Sequence, residues 1–559
     1  MAKQPNFLVI VADDLGFSDT GCFGGEIKTP NIDSLVNGGI RFTDFHAAAA
    51  CSPTRAMLLS GTDNHIAGIG TMAEMWSENQ KGKPGYEGYL NDRVVPVSEL
   101  LQSAGYHTML SGKWHLGLTP DRWPSRRGFD RSFSLLPGAA NHYAWEPQLQ
   151  ADKKAPDILG EINAFYVEDD TQVEPHELGE DFYSSEAFAT KLIEYLDERD
   201  SKQREKPFFA YLAFSAPHWP LQAPESDIQD YRGVYDEGPE VLRQTRLKSL
   251  KSLGLIPEHA IPHDVVAIGG HDLSKDWESL DSTKRQFSSR TMECFAGMVQ
   301  NMDQQIGRVL QYLRSKGELD NTFILFMSDN GAEGLLLEAI PIIKGDVHEH
   351  IANYYDNSLD NLGKKDSFVW YGPYWASAAT APGRLYKSFT TEGGVRVPLV
   401  LNYPPLTRDI PNINHAFATV MDIAPTVLEL AGVEHPGTTY CGRTVAPIRG
   451  RSWVPHLAGQ TGNIHPDDMA MGWELFGRQA IRKGRFKAVY IPKPYGPEEW
   501  QLYDLKSDPG ERVDLAGRKP EILADLMEEW EKYVHEVGLI VGSAQPFYEV
   551  DQDVHSVQG

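Results

Sequence analysis

Three short apolar runs along the chain each end in polar or ionisable side chains. The runs cover residues 7–11, 208–214 and 323–327, and they are rich in β-branched and aromatic residues. Continuous runs of this kind are typical of strands buried on both faces of a parallel sheet. The polar residues that follow them are Asp13 and Asp14, then His218, then Asp329 and Asn330. Because ligands gather at the carboxyl ends of such strands, we expect these side chains to meet in one crevice.

Helical patterns lie between these runs and predict the class of the main domain. Apolar residues recur at helical spacing over residues 31–38, 97–104, 187–196 and 295–313. Helices that alternate with buried strands predict a doubly wound α/β domain. We expect this domain to cover residues 1–440. The charged stretch at about 220–284 is interpreted as a partly helical surface insertion within it.

The alternation of buried strands and helices gives way near residue 440 to short strands separated by turns. Residues 479–491 and 500–505 predict short strands, with a turn at Lys483 and Gly484 and another at 508–510. An amphipathic helix is expected over 520–537. We therefore predict a smaller α+β domain over residues 441–559.

Composition narrows the class of partner. The chain has 559 residues, of which 41% are hydrophobic and 23% charged, as in folded proteins with more than one core. A formal net charge of -26 argues against non-specific binding to nucleic acid or to anionic membranes. No apolar stretch approaches the roughly 20 residues that span a bilayer. We therefore expect neither nucleic acid nor a membrane as partner. If the substrate is an anion, its binding site must gather positive charge locally, because the chain as a whole is negatively charged.

The cysteines and the N-terminus predict a compartment. The four cysteines are Cys22, Cys51, Cys294 and Cys441, widely spaced and without a C-x-x-C pair. This arrangement suits neither a disulfide framework nor a zinc site. The N-terminal residues lack the apolar core of a signal peptide. The sequence therefore predicts a cytoplasmic protein.

The strand-end residues predict a metal site. Asp13, Asp14, Asp329 and Asn330 offer only oxygen ligands, which suit a hard cation such as Ca²⁺ or Mg²⁺. A strand-end Asp or Asn can instead cap the following turn. Two such pairs on similar strands favour the metal.

The segment Cys51-Ser52-Pro53-Thr54-Arg55 precedes an apolar helical pattern. Pro53 suits the first turn of a helix, where its missing N–H is not needed. We therefore expect residue 51 at a helix N-terminus, a position that lowers a thiol pKa and favours anions. The alternative is a buried structural cysteine.

Four segments together resemble a known family. Residues 51–61, with Cys-x-Pro-Thr-Arg, an apolar run and a glycine, resemble the first signature of the formylglycine-dependent sulfatases. Residues 105–115 resemble their second, and the segments 11–16 and 328–331 also match in the family's order. The resemblance covers essentially the whole chain and is closest to the soluble microbial arylsulfatases. It implies an alkaline-phosphatase-like α/β/α sandwich with a large mixed, mostly parallel sheet, and a C-terminal domain with an antiparallel sheet.

The resemblance also implies a reaction. Cys51 would be oxidised by a formylglycine-generating maturation enzyme, and the aldehyde would hydrate to a diol. One hydroxyl attacks sulfur and expels the alcohol or phenol of a small sulfate ester. The second hydroxyl then loses its proton, the carbon–oxygen bond breaks, and sulfate leaves. One Ca²⁺ would be held by Asp13, Asp14, Asp329, Asn330 and residue 51.

Further roles carry over by position. Arg55 and Lys113 match the residues that hold the formylglycine oxygens, and Lys387 matches a sulfate-binding lysine. Asp329 is the implied base for the attacking hydroxyl and His115 for the elimination, whereas His218 would serve the leaving oxygen. Tyr143, Trp145 and Trp370 are weaker candidates for lining the pocket, since large aromatic residues usually belong to the core.

Two other functions remain open from the sequence. Related enzymes with the same modified cysteine hydrolyse phosphonate monoesters or phosphodiesters, although Ser52 is the usual sulfatase residue. A calcium-binding relative without turnover is the other alternative, and the presence of every residue that the mechanism requires argues against it.

Overall fold

The computed structural model describes residues 4–149, 164–337, 347–408 and 410–542. The described strands are β1 Asn6–Ala12, β2 Ile40–Phe42, β3 Phe45–His46, β4 His107–Lys113, β5 Arg131–Leu135, β6 Tyr166–Glu168, β7 Thr171–Val173, β8 Phe208–Ala213, β9 Thr322–Ser328, β10 Leu399–Asn402, β11 Ile413–Asn414, β12 Ala418–Thr419, β13 Thr439–Tyr440, β14 Arg443–Thr444, β15 Ala470–Leu475, β16 Arg478–Lys483, β17 Phe486–Tyr490 and β18 Trp500–Asp504.

The described α-helices are α1 Pro30–Ser34, α2 Cys51–Ser60, α3 Val97–Ser103, α4 Ser184–Asp197, α5 Ser201–Arg204, α6 Glu225–Gln229, α7 Pro239–Ser252, α8 Ser282–Ser315, α9 Val347–Tyr354, α10 Gly372–Thr380, α11 Glu392–Val395, α12 Pro404–Thr407, α13 Ile423–Ala431, α14 Val454–Leu457 and α15 Pro520–Val537. No described helix is long and apolar enough to cross a membrane.

Ten strands form the main sheet, in the order β11-β2-β10-β9-β1-β8-β4-β5-β6-β7. The five strands from β9 to β5 run parallel, whereas β10, β6 and β7 pair antiparallel to their neighbours. Strands β1, β8 and β9 are buried along their full length, as expected for strands covered on both faces. The prediction of a mixed, mostly parallel sheet is confirmed.

Helices lie on both sides of this sheet. Helix α8 packs against α1, α4 and α6, while α2, α3 and α13 pack against one another. Strand β4 contacts α4 of the first group and α3 of the second, so helices of both groups pack on the sheet. The arrangement is the predicted α/β/α sandwich. It places the carboxyl ends of β1, β4, β8 and β9 along one edge.

The stretch at about 220–284 holds α6 and α7, as the helical pattern predicted. Its inner side chains are buried against the rest of the protein, as Tyr235 and Arg246 show, whereas Val241 and Ile261 are exposed, and its description as a surface insertion stays a prediction. Arg246 pairs with Asp19 and Glu26 of the main body. The bounds of this insertion, and the domain boundary near 440, stay predictions.

A smaller antiparallel sheet follows near the C-terminus. Its four strands, β15 to β18, pair in sequence order, and α15 packs on β15, β16 and β17. Trp530 and Tyr533 of α15 join the core beneath this sheet. The predicted α+β arrangement is confirmed, although β15 was not predicted.

The small sheet touches two loops of the large domain. Trp473 Nε1 donates a 2.9 Å hydrogen bond to the Ala47 carbonyl, four residues before Cys51. Arg478 Nη1 donates a 2.7 Å bond to the carbonyl of Ser388, beside Lys387. The C-terminal domain therefore supports the segments that carry two of the predicted site residues.

Candidate active site

Helix α2 begins at Cys51, as the sequence predicted. Ala50 precedes it in an extended conformation, and Thr54 Oγ1 accepts a 2.9 Å hydrogen bond from the Ala48 amide, which fixes the chain before the helix. The helix ends at Gly61, whose left-handed backbone closes the last turn onto the Met57 carbonyl. Every residue of α2 is buried, so the Cys51 side chain is held in the protein interior.

The predicted effect of the helix on the thiol is wrong. Burial, and then the negative charge of Asp13, raise the pKa of Cys51 well above its usual value, and Lys113 and Lys387 do not compensate. The helix N-terminus provides only a fraction of a positive charge. The stabilisation that this charge gives a thiolate is smaller than the free-energy cost of burying the thiolate away from water. Unmodified Cys51 is therefore a protonated thiol and a poor nucleophile.

The strand-end residues meet around Cys51. One potential ligand atom from each of Asp13, Asp14, Cys51 and His218 lies within 4.8 Å of the others. Asp329 and Asn330 complete the group, since Asp329 Oδ1 accepts from the Asp14 amide at 3.3 Å and Asn330 Nδ2 donates to Asp14 Oδ1 at 2.7 Å. The crevice expected from three strand ends is present.

Three buried cations pair with the three carboxylates. Lys113 Nζ donates to Asp13 Oδ2 at 2.5 Å, and Lys387 Nζ donates to Asp14 Oδ2 at 2.9 Å. Arg55 bonds Asp329 and also donates from Nη1 to the Lys113 carbonyl at 2.9 Å. These charges balance one another, so a divalent cation would give the site the net positive charge that an anionic substrate requires.

The carboxylates titrate very differently because they crowd one another. Burial acts to raise the pKa of Asp13, but the charge of Lys113 and the other cations holds it well below its usual value. Burial and the negative charge of Asp13 raise the pKa of Asp329 to about 7, against the opposing charge of Arg55. Such crowding is typical of a site built for a cation or for proton transfer.

The donor set fits a hard metal ion. Asp13 Oδ1 and Asn330 Oδ1 are buried and, among the described residues, have no hydrogen-bond partner. Unsatisfied buried oxygens are costly, and a cation at this place would satisfy both. Carboxylate and amide oxygens are the ligands that Ca²⁺ and Mg²⁺ prefer.

The two histidines occupy different sides of the site. His218 Nε2 lies 3.5 Å from Asp14 Oδ2, and its Nδ1 donates to the Trp219 carbonyl at 2.7 Å. Burial and then Lys387 lower the pKa of His218 to about 3. His115 follows β4 in a left-handed backbone conformation (φ 55°). Left-handed backbone also occurs at Asp14 (φ 70°), so two strand ends are held in a strained conformation at this edge.

Sequence reasoning missed two residues in this neighbourhood. Glu333 lies 3.2 Å from Lys387 Nζ, and Glu74 lies 3.2 Å from His115 Nε2. Glu333 falls four residues after Asp329 and could have been recognised as another strand-end carboxylate, whereas no signal marked Glu74. His142 also lies here, with its Nε2 2.9 Å from the His218 carbonyl.

The weaker aromatic candidates lie farther out. Tyr143 contacts Tyr183 with ring centroids 5.0 Å apart, and Trp145 contacts Tyr355 at 5.6 Å. Trp370 belongs to a buried apolar cluster that also contains Trp219. A role in the substrate pocket stays a prediction for all three aromatic candidates.

A buried cysteine at a helix start, an oxygen-rich donor set that fits a cation and paired lysine and arginine side chains meet at the strand ends of an α/β/α fold, an arrangement that suits hydrolysis of anionic esters. Comparisons with known proteins identify the family. The sulfatase family model matches residues 5–433, and the model for the N-sulphoglucosamine sulphohydrolase C-terminal region matches residues 383–536. The chain belongs to the sulfatase family and is a sulfatase.

Individual relatives agree with this assignment. An uncharacterised sulfatase of Schizosaccharomyces pombe is 54% identical over 544 residues, covering 96% of this chain and 95% of its own. An arylsulfatase of Klebsiella aerogenes is 37% identical over 455 residues, covering 80% and 91%. The solved structure of Ps i-CgsB with k-i-k-neocarrahexaose has a TM-score of 0.65 at 24% identity, covering 95% of this chain and 92% of that one. Its likeness supports the fold.

Proposed function

We propose that this sulfatase hydrolyses aryl or alkyl sulfate monoesters to a phenol or alcohol and inorganic sulfate. The nucleophile would be a formylglycine made from Cys51 by a maturation enzyme, with one Ca²⁺ beside it. The observation that carries the proposal is the position of Cys51. It opens α2 within 4.8 Å of ligand atoms of Asp13, Asp14 and His218, and its own thiol is unsuited to attack because its pKa is raised.

The metal would be held by Asp13, Asp14, Asp329, Asn330 and residue 51. When bound, Ca²⁺ supplies Lewis-acid polarisation of the sulfuryl group. The two unpartnered oxygens, Asp13 Oδ1 and Asn330 Oδ1, support this ligand set.

The chain's own cations would surround the reacting groups, with Arg55 and Lys113 on the formylglycine oxygens and Lys387 on the sulfate group. Lys113 and Arg55 are fully buried and Lys387 nearly so, which means that their charges are not screened by bulk water. All three already hold fixed positions on carboxylates, so little reorganisation is needed when an anion enters. Asp329 is the proposed base for the attacking hydroxyl.

His218 would serve the leaving oxygen. Its Nδ1–H is committed to the Trp219 carbonyl, which leaves Nε2 as the ring atom available to the site. His142 Nε2 lies 2.9 Å from the His218 carbonyl, and its Nδ1 lies 2.9 Å from Ser184 Oγ. In the neutral ring Nε2 carries a lone pair, so His218 would first take up a proton from solvent at Nε2 and then donate it, or a hydrogen bond, to the departing oxygen.

An apolar leaving group is supported by the surroundings of His218. The Trp219 and His218 rings lie 4.7 Å apart, and Trp219 also contacts Phe368 at 5.9 Å. Trp219 and Phe368 belong to an apolar cluster beside His218. Its members are Ala139, Trp219, Leu337, Val347, Ile351, Phe368 and Trp370. Apolar and aromatic walls suit an aryl or alkyl group better than a hydroxyl-rich sugar, whose polar groups would lose their water partners.

The test compares kcat/KM for an aryl sulfate, a phosphodiester and a phosphonate monoester that share one leaving group. We expect the sulfate to be preferred and Cys51→Ala to be inactive on all three. Preference for a phosphorus ester would instead establish the phosphonate or phosphodiester hydrolase. Metal analysis of the purified enzyme separates Ca²⁺ from Mg²⁺. A cytoplasmic location also remains a proposal, and cell fractionation tests it.

A further inference from the structure

Glu74 holds the ring of His115 from outside the group of predicted site residues. Its Oε1 lies 3.2 Å from His115 Nε2, and the two side chains are only 13% and 7% exposed. Glu74 stands in the loop between α2 and α3, whereas His115 follows β4. The contact therefore joins two parts of the chain that are distant in sequence.

The chemistry of the pair fixes the position of the proton. Burial acts to raise the pKa of Glu74, but its contact with His115 holds the pKa below its usual value, so Glu74 is an ionised carboxylate beside the imidazole. An ionised carboxylate only accepts hydrogen bonds, so Nε2 of His115 must carry the proton. The pKa of His115 lies below its usual value, chiefly because of burial, so the ring is neutral and Nδ1 carries the lone pair.

That second nitrogen is left available. His115 Nδ1 is buried and has no hydrogen-bond partner among the described residues. A buried nitrogen without a partner is costly in a folded protein and suggests a role in the site. It is the only ring atom of His115 that can accept a proton from a reacting hydroxyl.

The space around the pair is closed by a third segment. A Cβ atom at Gly138 would lie 2.6 Å from His115 Cε1 and 3.2 Å from Glu74 Oε1. The next residue, Ala139, belongs to the buried apolar cluster, and Met75 packs against that cluster. Glycine at 138 therefore lets the backbone press against the imidazole, and the apolar neighbours limit access of water to the pair.

We propose that Glu74 is a positioning residue for His115: it fixes the tautomer and the orientation of the imidazole so that Nδ1 serves as the base of the elimination step. The inference rests on the proposed function, because the elimination belongs to it. A carboxylate that orients a histidine through its second nitrogen is a recurring device in catalytic and metal sites.

The test uses Glu74→Ala, Glu74→Gln and the control Glu78→Gln, which changes an exposed glutamate of the same loop. The first readout is the orientation of the His115 ring in crystals of each variant. We expect the ring to turn in Glu74→Ala and to stay in Glu74→Gln, whose amide oxygen can accept the same hydrogen bond. The second readout separates the burst of phenol in the first turnover from the steady-state rate.

For an aryl sulfate we expect Glu74→Ala to lower the steady-state kcat by about 100-fold, and Glu74→Gln by about 10-fold. The burst and the calcium content should be retained, since they precede or do not involve the elimination. An unmoved ring in Glu74→Ala would overturn the inference. So would equal losses of burst and steady state in both variants. A wild-type enzyme that cleaves no sulfate ester, with a ring that still turns in Glu74→Ala, would refute the proposed function and leave the positioning contact standing.

Discussion

Arg55 donates two hydrogen bonds to a single oxygen of Asp329, with Nε at 3.0 Å and Nη2 at 2.7 Å from Oδ2. Both side chains are fully buried. The pair joins the second turn of α2 to the residue that follows β9, and so it ties the helix that carries Cys51 to the residues proposed to hold the metal. Asp13 Oδ1 is 3.9 Å from Arg55 Nη2, too far to replace these bonds.

Removal of Asp329 should therefore destabilise the metal-free protein. Asp329→Ala leaves a buried guanidinium without its partner, and we expect a loss of about 3 kcal/mol. Glu536→Ala is the control, because Glu536 pairs with Arg449 at the surface and its loss should cost no more than about 1 kcal/mol. Urea unfolding of both variants without metal checks this prediction. Equal destabilisation by the two substitutions would contradict it.

Asn330 should be a calcium ligand through its unpartnered Oδ1. A ligand that binds only the folded state at 100 times its Kd stabilises that state by about 2.7 kcal/mol. We expect calcium to raise the melting temperature of the wild type, and Asn330→Ala to require much more calcium for the same rise. Isothermal calorimetry gives the two affinities directly. An unchanged affinity in Asn330→Ala would remove this residue from the ligand set.

A buried ion pair of the large domain, His65 with Asp63, predicts a pH dependence of stability. Burial acts to lower the pKa of His65, but the hydrogen bond and charge of Asp63 raise it to about 9. Asp63 also accepts a 2.9 Å bond from Tyr533 of α15. Because the folded pKa exceeds the unfolded value, this stabilisation is complete below about pH 6.5 and is lost as the pH rises through about 9.

We expect a loss of about 3 kcal/mol from this pair between pH 6.5 and 9.5. Melting temperatures over this range should therefore fall more steeply for the wild type than for His65→Gln, which has no titrating ring. Parallel curves for the two proteins would show that the pKa of His65 does not change on folding.

The apolar cluster beside His218 should select the leaving group. Phe368→Ala removes an aromatic side chain that contacts Trp219. We expect kcat/KM to fall by about 10-fold or more for a bulky aryl sulfate and to change little for methyl sulfate, since a lost aromatic contact is worth about 1–3 kcal/mol. Comparing the two substrates in one variant cancels any loss of folded enzyme. Equal losses on both substrates would argue against a role in leaving-group binding.

Much of this architecture follows from local patterns. The ends of β1, β8 and β9 lie within two residues of the predicted runs, because strands buried on both faces need continuous apolar sequence. The start of α2 at Cys51 and the bounds of α15 were also predictable, the latter from a strong helical period. The convergence of the strand-end residues followed from the parallel order of their strands.

Other features depend on contacts that no local pattern encodes. Helix α8 begins at Ser282, ahead of the predicted start at 295, since its first turns are polar and are secured by the Asp281 side chain on the Lys284 amide. The pKa of Cys51 depends on burial and on Asp13, which is distant in sequence. The pairing of Glu74 with His115 likewise arises only when two loops meet.

The central claim is that Cys51 is the precursor of the nucleophile, and its peptide mass tests this most directly. Mass spectrometry of the peptide that spans residue 51, in preparations with and without a co-expressed maturation enzyme, gives the fraction in which the thiol has become an aldehyde. We predict that sulfate-ester turnover rises in proportion to that fraction and is absent from Cys51→Ala. Full turnover by protein in which Cys51 is entirely unmodified would contradict the account.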